Sequence, residues 1–156
     1  MIVVPSPKRL RELATPQWRE FPELPGIRVR MRGLTSEQSR VCTQRALNVI
    51  RSLQHGAEAL ETYGLAATDG EGGQFNPADP DQMAGLGLRL GSVEVLMEAI
   101  SEWEGVFLDE GGEHPAPVDR PTLTALCASA RFEQTLVNAA QELSEVLLRE
   151  GKPSAT

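Results

Sequence analysis

The side chains best suited to catalysis or metal binding are two histidines, His55 and His114, and two cysteines, Cys42 and Cys127. A metal site needs several ligands at short spacing, and a nucleophile needs a neighbouring base. Neither histidine has a partner at a spacing such as i+4, and neither cysteine lies in a redox, metal or nucleophile motif. Both cysteines fall on the apolar side of a predicted helix, where a free thiol packs as a small hydrophobe. We therefore expect two buried thiols, with a disulfide as the alternative, a solvent-facing His55 and no metal at His114.

Residues 69–73 (DGEGG) form an acidic, glycine-rich run of the kind that binds cations or phosphate groups. The run lacks the regular acidic spacing of an EF-hand and the Lys-Ser/Thr ending of a P-loop. Residues 65–80 are therefore predicted to form a solvated loop. No dinucleotide fingerprint or Gly-x-Ser-x-Gly motif occurs in the chain. The sequence thus predicts a protein without catalytic residues, bound metal or other cofactor.

Three glutamates, Glu94, Glu98 and Glu102, recur every four residues along a predicted helix. Side chains at this spacing share one helix face, so the three predict a negative stripe. Such a stripe is usually a solvated face. The alternative is a docking surface for a basic segment of a partner, which makes all three glutamates candidate partner-binding residues.

Charge divides the chain into a basic first third and an acidic remainder. Residues 1–51 carry ten of the fifteen basic residues and four of the 22 acids, a net charge of +6, and residues 52–156 carry −13, which together give −7. The pattern predicts either pairing between the two parts or partners of opposite sign on opposite faces. The basic residues are scattered without stacking aromatics among them, so nucleic acid is not an expected partner.

Composition is typical of one soluble globular domain, because 40% of the 156 residues are hydrophobic and 24% are charged. No apolar run approaches the roughly 20 residues needed to cross a bilayer, so a membrane is not an expected partner. The first segment, MIVVPSPKRL, is too short and proline-broken for a signal peptide. We therefore expect the protein in the cytoplasm, with residues 1–16 as a mobile arm that includes one or two helical turns.

A β-hairpin is predicted from residues 17–21 and 26–32, joined by a turn. In the second segment Ile27, Val29 and Met31 alternate with arginines, which is the period-2 pattern of a half-buried strand. A lone hairpin is marginally stable in water, so its apolar side must lie on helices or pair with another chain. These three apolar residues are therefore candidate partner-binding residues.

About four helices are predicted to complete a mainly α fold, a small helical domain over residues 17–150 with the hairpin at its N-terminal end. The first helix begins at a capping box, in which Thr35 and Gln38 satisfy each other's backbone amides. Its apolar stripe continues to Tyr63, and Gly64 is the predicted end.

The second long helix is predicted over residues 81–103. It contains Met83 and Met97, whose adaptable side chains suit a partner-binding surface. A cluster of three glycines lowers its helix propensity by roughly 1 kcal/mol each relative to alanine, which favours a frayed first turn or a close helix crossing. The three are Gly85, Gly87 and Gly91.

The C-terminal part is predicted to hold a short helix and a longer one. Asp119 or Thr122 can cap the short helix. A bend at residues 130–132 separates it from the last helix, which runs to residue 150. Residues 151–156 form a frayed tail.

Residues 98–117 form a corner between these helices. Trp103 is predicted at the last turn of the second helix, and Gly105 breaks the chain into an apolar run that includes Val106 and Phe107. Large apolar side chains so close together rarely all face water, so we expect the corner to insert into the core. Trp103, Gly105, Val106 and Phe107 are therefore candidate structural residues.

Two segments of the chain resemble the tail assembly chaperones of long-tailed bacteriophages and prophages. The first is the alternating segment at residues 26–32 (GIRVRMR) followed by residues 33–38 (GLTSEQ). The second is the run at residues 100–106 (ISEWEGV), an acidic glycine-containing turn, residues 121–126 (PTLTAL) and a helix. The resemblance covers roughly residues 18–148.

The resemblance implies a non-enzymatic protein of the bacterial cytoplasm that binds the tape measure protein during tail assembly. It would keep that long helical protein soluble until subunits of the tail tube displace it. An apolar groove between helices would serve this function, and a homo-oligomer joined at the hairpin edge would present several grooves. The alternatives are a structural subunit of a tail or head-tail connector and a small acidic adaptor or regulatory domain.

Overall fold

The computed structural model describes residues 4, 6–56, 58–65, 76 and 78–149, with no side-chain description at 9, 12, 13 and 146–149. The predicted mainly α fold is confirmed, and it includes a small antiparallel sheet. Its elements are α1 (Pro7–Leu13), β1 (Gln17–Phe21), β2 (Leu24–Met31), α2 (Ser36–Ser52), the 3₁₀ helices Leu53–His55 and Glu58–Tyr63, α3 (Pro80–Ala99), β3 (Ile100–Glu104), α4 (Arg120–Leu126) and α5 (Ala130–Arg149). Most of the loop predicted at residues 65–80, and the tail at 151–156, lie outside the described residues.

The sheet has the order β1-β2-β3. The predicted hairpin of β1 and β2 is confirmed, with Trp18 opposite Arg30. The third strand, β3, pairs antiparallel with β2, with Trp103 opposite Val29 and Glu102 opposite Arg30. The prediction of a helix to Trp103 was therefore wrong. The helix ends at Ala99 because β2 offers the next residues a strand to pair with and arginines that match their glutamates.

The capping box at the start of α2 is confirmed. The Gln38 amide donates to the Thr35 hydroxyl at 3.2 Å, and the Thr35 amide donates to the Gln38 side-chain oxygen at 3.0 Å. The predicted continuous helix to Tyr63 is interrupted, because α2 ends at Ser52 and Gly56 has a φ of 138°, which no helix accommodates. The 3₁₀ helix that ends at Tyr63 still buries that side chain.

The first turn of α3 is not frayed. The Asp79 carboxylate accepts a hydrogen bond from the Asp81 amide at 2.9 Å, and Pro80 opens the helix. Only one of the three glycines faces a neighbouring helix, since a Cβ at Gly87 would lie 3.4 Å from Ile50. The alternative of a close helix crossing therefore holds at that single position.

Asp119 caps α4, its carboxylate accepting a hydrogen bond from the Thr122 amide at 2.9 Å. The predicted bend at residues 130–132 was wrong, because the chain bends at residues 127–129 and α5 begins at Ala130. The Ser129 hydroxyl explains the earlier helix start, since it accepts a hydrogen bond from the amide three residues later at 3.4 Å.

The core lies between the sheet and the helices. Both thiols, Cys42 and Cys127, are buried and free, as predicted. Burial raises the pKa of the Cys127 thiol to about 12, so the thiol stays protonated. No described helix is long and apolar enough to cross a membrane. The largest fully buried side chains are Met31, Leu60, Leu90, Leu96, Leu123, Leu136 and Glu94.

The corner after β3 is only partly inserted into this core. Val106 is buried, and Trp103 is half-buried with its indole nitrogen donating to the Ala116 carbonyl at 2.8 Å. Phe107 is 46% exposed, so its predicted insertion was wrong. It pairs with Pro115 in a short antiparallel bridge, in which neighbouring side chains point to opposite sides and Val106 takes the inward one.

Gly105 is required at this corner. Its φ is 85°, in the region that only glycine adopts readily, and a Cβ there would lie 2.0 Å from the Gly26 carbonyl oxygen. The backbone of β2 and the start of the corner therefore touch directly. This contact fixes the direction in which the chain leaves β3.

Candidate functional site

Two of the apolar strand residues predicted to bind a partner are in the core instead. Val29 and Met31 are both 0% exposed, and Ile27 is half-buried. The assignment of Val29 and Met31 as partner-binding residues was therefore wrong. The apolar face of β2 is covered by the protein's own helices, which was the other outcome predicted for a lone hairpin.

The glutamates predicted as a negative stripe do not form one. Glu102 lies on β3 and Glu98 on α3, so the helical spacing in the sequence does not continue in space. Glu98 accepts hydrogen bonds from Arg32 at 3.3 Å and Arg45 at 3.1 Å, and Glu102 accepts one from Arg30 at 3.2 Å. The predicted solvated face was wrong at Glu94, which is buried, whereas Glu102 is exposed and Glu98 is half-buried. Because both of these are paired with arginines, neither is a free docking charge.

Pairing between the basic and acidic parts of the chain accounts for part of the charge asymmetry. Besides the pairs of Glu98 and Glu102, Arg28 donates to Glu104 at 3.1 Å across β2 and β3. Arg28 also lies 4.7 Å from the centroid of the Trp18 ring. The arginine face of β2 is thus occupied by the protein's own acids and an aromatic ring, and the alternative of internal pairing is confirmed.

Glu94 is the centre of a buried polar cluster. The residue is 1% exposed, and its side chain accepts hydrogen bonds from Tyr63 at 2.6 Å and from Arg120 at 2.8 and 3.0 Å. Burial alone would raise the pKa of Glu94, but the hydrogen bonds from Arg120 and Tyr63 outweigh it and lower the pKa. Burial also raises the pKa of Tyr63 well above its ordinary value. Both carboxylate oxygens are occupied, so the cluster is suited to hold helices together rather than to bind a ligand.

The two histidines lie on the surface. His55 is exposed at the end of a 3₁₀ helix, as predicted. His114 is also exposed, and its Nδ1 lies 3.2 Å from the Asp109 carboxylate. That carboxylate accepts hydrogen bonds from the amides of Glu113 and His114, which lower its pKa and close the turn. Within the described ranges no three His, Cys, Asp or Glu side chains are placed to hold a metal.

A concave apolar groove of about 640 Å³ lies between α2 and α3, and Val137 of α5 also lines it. Two leucines stand in it with much of their surface in water, Leu88 at 76% exposed and Leu47 at 42% exposed. Apart from two hydroxyls, the lining is apolar. The lining residues are Thr43, Ala46, Leu47, Ile50, Pro80, Met83, Ala84, Gly87, Leu88, Gly91, Ser92, Val95 and Val137.

Glycine keeps the floor of the groove open. A Cβ at Gly91 would meet no atom within 4 Å, so the backbone of α3 is accessible there. Of the two methionines predicted to bind a partner, Met83 lines the groove. Met97 is half-buried against the core and does not line the groove, so its assignment as a partner-binding residue stays a prediction.

The sequence signal for the groove is weak. Leu88 lies two residues from both Leu86 and Leu90, which are buried, so it falls outside the single apolar stripe that predicts the core face. An apolar residue outside that stripe, next to glycines, indicates a second apolar face on the same helix.

No family model matches the chain, and no curated protein or solved structure matches it either.

Proposed function

We propose that the protein is a non-enzymatic tail assembly chaperone of a long-tailed bacteriophage or prophage. In this function it binds the tape measure protein in the bacterial cytoplasm and keeps it soluble until tube subunits displace it. The observation that carries the proposal is the open apolar groove between α2 and α3. The resemblance of residues 26–38 and 100–126 to such chaperones supplies the identity of the partner.

The groove suits an amphipathic helix. Such a helix buries its apolar face when it lies in an apolar groove, and the contact needs no catalytic group. A floor that is open at Gly91 lets the side chains of a bound helix approach the backbone of α3. A tape measure protein, as a long helical chain with apolar faces, is a ligand of this kind.

The exposed leucines give an affinity of the right order for displacement. Burying a whole leucine side chain contributes roughly 1.5–3 kcal/mol. Leu88 and Leu47 are already partly buried, so covering the rest of both contributes about 2–3 kcal/mol. The other lining residues add to this, while association and side-chain ordering oppose it. A single groove therefore binds its ligand with modest affinity, and tube subunits can replace it.

Co-expression tests the proposal. The soluble yield of a tape measure protein should rise when it is produced with this protein, and the two should co-purify. Gly91→Gln places a polar side chain in the groove where no atom opposes it, so this variant should fold and lose the effect. Gly85→Gln is the matched control, because it also meets no atom but does not line the groove. Equal solubilisation by both variants would contradict the proposal.

A structural subunit of a tail or head-tail connector is the second candidate. The outer edge of β1 pairs with no other strand among the described residues, and an open edge can pair with a second copy. The same edge would join copies in a homo-oligomeric chaperone. Mass spectrometry of purified mature particles separates the two functions, because a structural subunit remains in the particle and a chaperone does not.

A further inference from the structure

Two arginines border the groove on the α2 side. Arg40 precedes the lining residue Thr43 by three positions, and Arg51 follows the lining residue Leu47 by four. Residues at these spacings are neighbours on a helix surface. Arg40 and Arg51 are exposed, and eleven helical residues separate them by about 16 Å along the axis. We name these two side chains the arginine rim.

The arginine rim forms no ion pair within the part of the protein that the structure describes, although Glu37 precedes Arg40 by three positions on α2. Neither Arg40 nor Arg51 makes an ion pair or side-chain hydrogen bond there, whereas the arginines of β2 and Arg45 are all paired. Charges in water repel one another only weakly, so an unpaired rim costs little in the free protein. It is therefore available to an acidic ligand.

The α3 wall of the groove carries little free charge, and on α5 Glu133 precedes the lining residue Val137 by four positions. On α3, Arg89 donates to the Thr124 carbonyl at 3.1 Å, Glu98 is paired with arginines, and Glu94 is buried. Asp81, at the first turn of α3, is the one remaining charged residue of that helix. The groove is thus apolar along its floor and positive along one side.

We propose that the groove selects an amphipathic helix with carboxylates on one flank. Its aliphatic face would cover Leu47 and Leu88, and acidic side chains about three turns apart would meet Arg40 and Arg51. This inference rests on the proposed function and specifies the segment that is bound. A second copy of the groove is a less suitable occupant, because it brings the same two exposed arginines against Arg40 and Arg51.

The carboxylates on the flank of the bound helix mainly decide which amphipathic helix is preferred, because the apolar floor alone would bind different amphipathic helices with similar affinity. An exposed ion pair changes an equilibrium by roughly 1.5- to 5-fold, so two pairs change it by about 2- to 25-fold. The attraction also speeds association at low salt. A helix with lysines on that flank is rejected by the same arginine rim.

Three synthetic helical peptides test the inference by fluorescence anisotropy with the full chain. They share one leucine and alanine face and carry two Glu, two Gln or two Lys residues, eleven positions apart, on one flank. We expect the Glu peptide to bind tightest and the Lys peptide weakest in 50 mM salt. The difference should largely disappear in 500 mM salt, where the screening length falls to about 4 Å.

Variants assign the preference to the arginine rim. Arg40→Gln with Arg51→Gln should weaken binding of the Glu peptide by about 2- to 25-fold and leave the Gln peptide unchanged. Arg131→Gln is the control, because this arginine is exposed on α5 and does not line the groove. Circular dichroism spectra should match the wild type, since these side chains lie in water.

The other outcomes overturn the inference in distinguishable ways. Equal binding of all three peptides, blocked by Gly91→Gln, overturns the acidic preference and leaves the groove as the proposed site. Binding of no peptide overturns both the inference and the groove as a helix-binding site. A dimer in sedimentation experiments that Gly91→Gln dissociates assigns the groove to a second copy, which also overturns the inference.

Discussion

Replacing Arg120 with methionine tests whether the cluster around Glu94 holds the helices together. In Arg120→Met the buried carboxylate keeps the Tyr63 hydroxyl at 2.6 Å and the Arg45 guanidinium at 3.9 Å, but loses its two closest charged hydrogen bonds. Removing one partner of a buried ion pair costs roughly 3–5 kcal/mol. Because two other groups remain, we expect the free energy of unfolding at pH 7 to fall by about 3 kcal/mol.

The pH dependence gives this variant a second signature. In the wild type the pKa of Glu94 is lowered, so its contribution to stability is present above the unfolded value of about 4.3 and is lost as the pH falls through the folded value. In Arg120→Met burial dominates, so the pKa of Glu94 is raised and the folded state binds the proton more tightly than the unfolded chain. The variant therefore gains stability relative to the wild type as the pH falls. The difference between them should shrink from pH 7 to pH 4.

Urea unfolding followed by circular dichroism at several pH values measures both effects, with an unchanged m value as the condition for comparison. Glu94→Gln is the control. Glu94→Gln should lower the free energy of unfolding less than Arg120→Met does. It leaves Arg120 without its carboxylate partner, but the Arg120 side chain is 30% exposed and can turn to water, whereas the buried Glu94 cannot. A loss below about 1 kcal/mol in Arg120→Met, or a larger loss in Glu94→Gln, would refute this account of the cluster.

Three further substitutions test the corner and the helix cap by urea unfolding. Gly105→Ala should cost at least about 2 kcal/mol, because it adds backbone strain and a contact with the Gly26 carbonyl; a neutral effect would contradict the strain. Trp103→Ala should lower the free energy of unfolding by about 2–3 kcal/mol, which is below the usual loss for a fully buried aromatic. Phe107→Ala should lower it by less than about 1 kcal/mol. The reverse order would place the phenylalanine in the core. Thr35→Ala should cost about 1 kcal/mol, and Thr35→Ser close to none, since serine keeps the capping hydroxyl.

Local chemistry made several elements predictable from the sequence. The capping box at Thr35, the alternation along β2 and the cap at Asp119 each depend on residues a few positions apart, and all three are confirmed. The apolar spacing of Cys42 and Cys127 likewise predicted their burial. In each case the interaction is decided within one element or one turn.

Interactions between distant residues could not be predicted in this way. The sequence continues a helical spacing of apolar residues through Ile100 and Trp103, so the switch to β3 depends on the arginines of β2, which lie 72 and 76 positions from their glutamate partners. The partners of Glu94 are 31 and 26 positions away, so no pattern near Glu94 in the sequence could predict that it is buried. The groove depends on how α2 and α3 are placed, and only Met83 and the position of Leu88 outside the main apolar stripe indicated it in the sequence.

The pairing of β2 with β3 has a consequence for synthesis on the ribosome. The hairpin of β1 and β2 can form early, but Arg28 can pair with Glu104 only after 76 more residues have been synthesised. Until β3 and the helices are made, Val29 and Met31 have nothing to cover them, although they are fully buried in the finished protein. An incomplete chain therefore carries an apolar strand with an open edge, which is the form most prone to aggregate. A protein proposed to cover the apolar faces of another chain must first cover its own, and it can do so only after β3 and the later helices α4 and α5 have been translated.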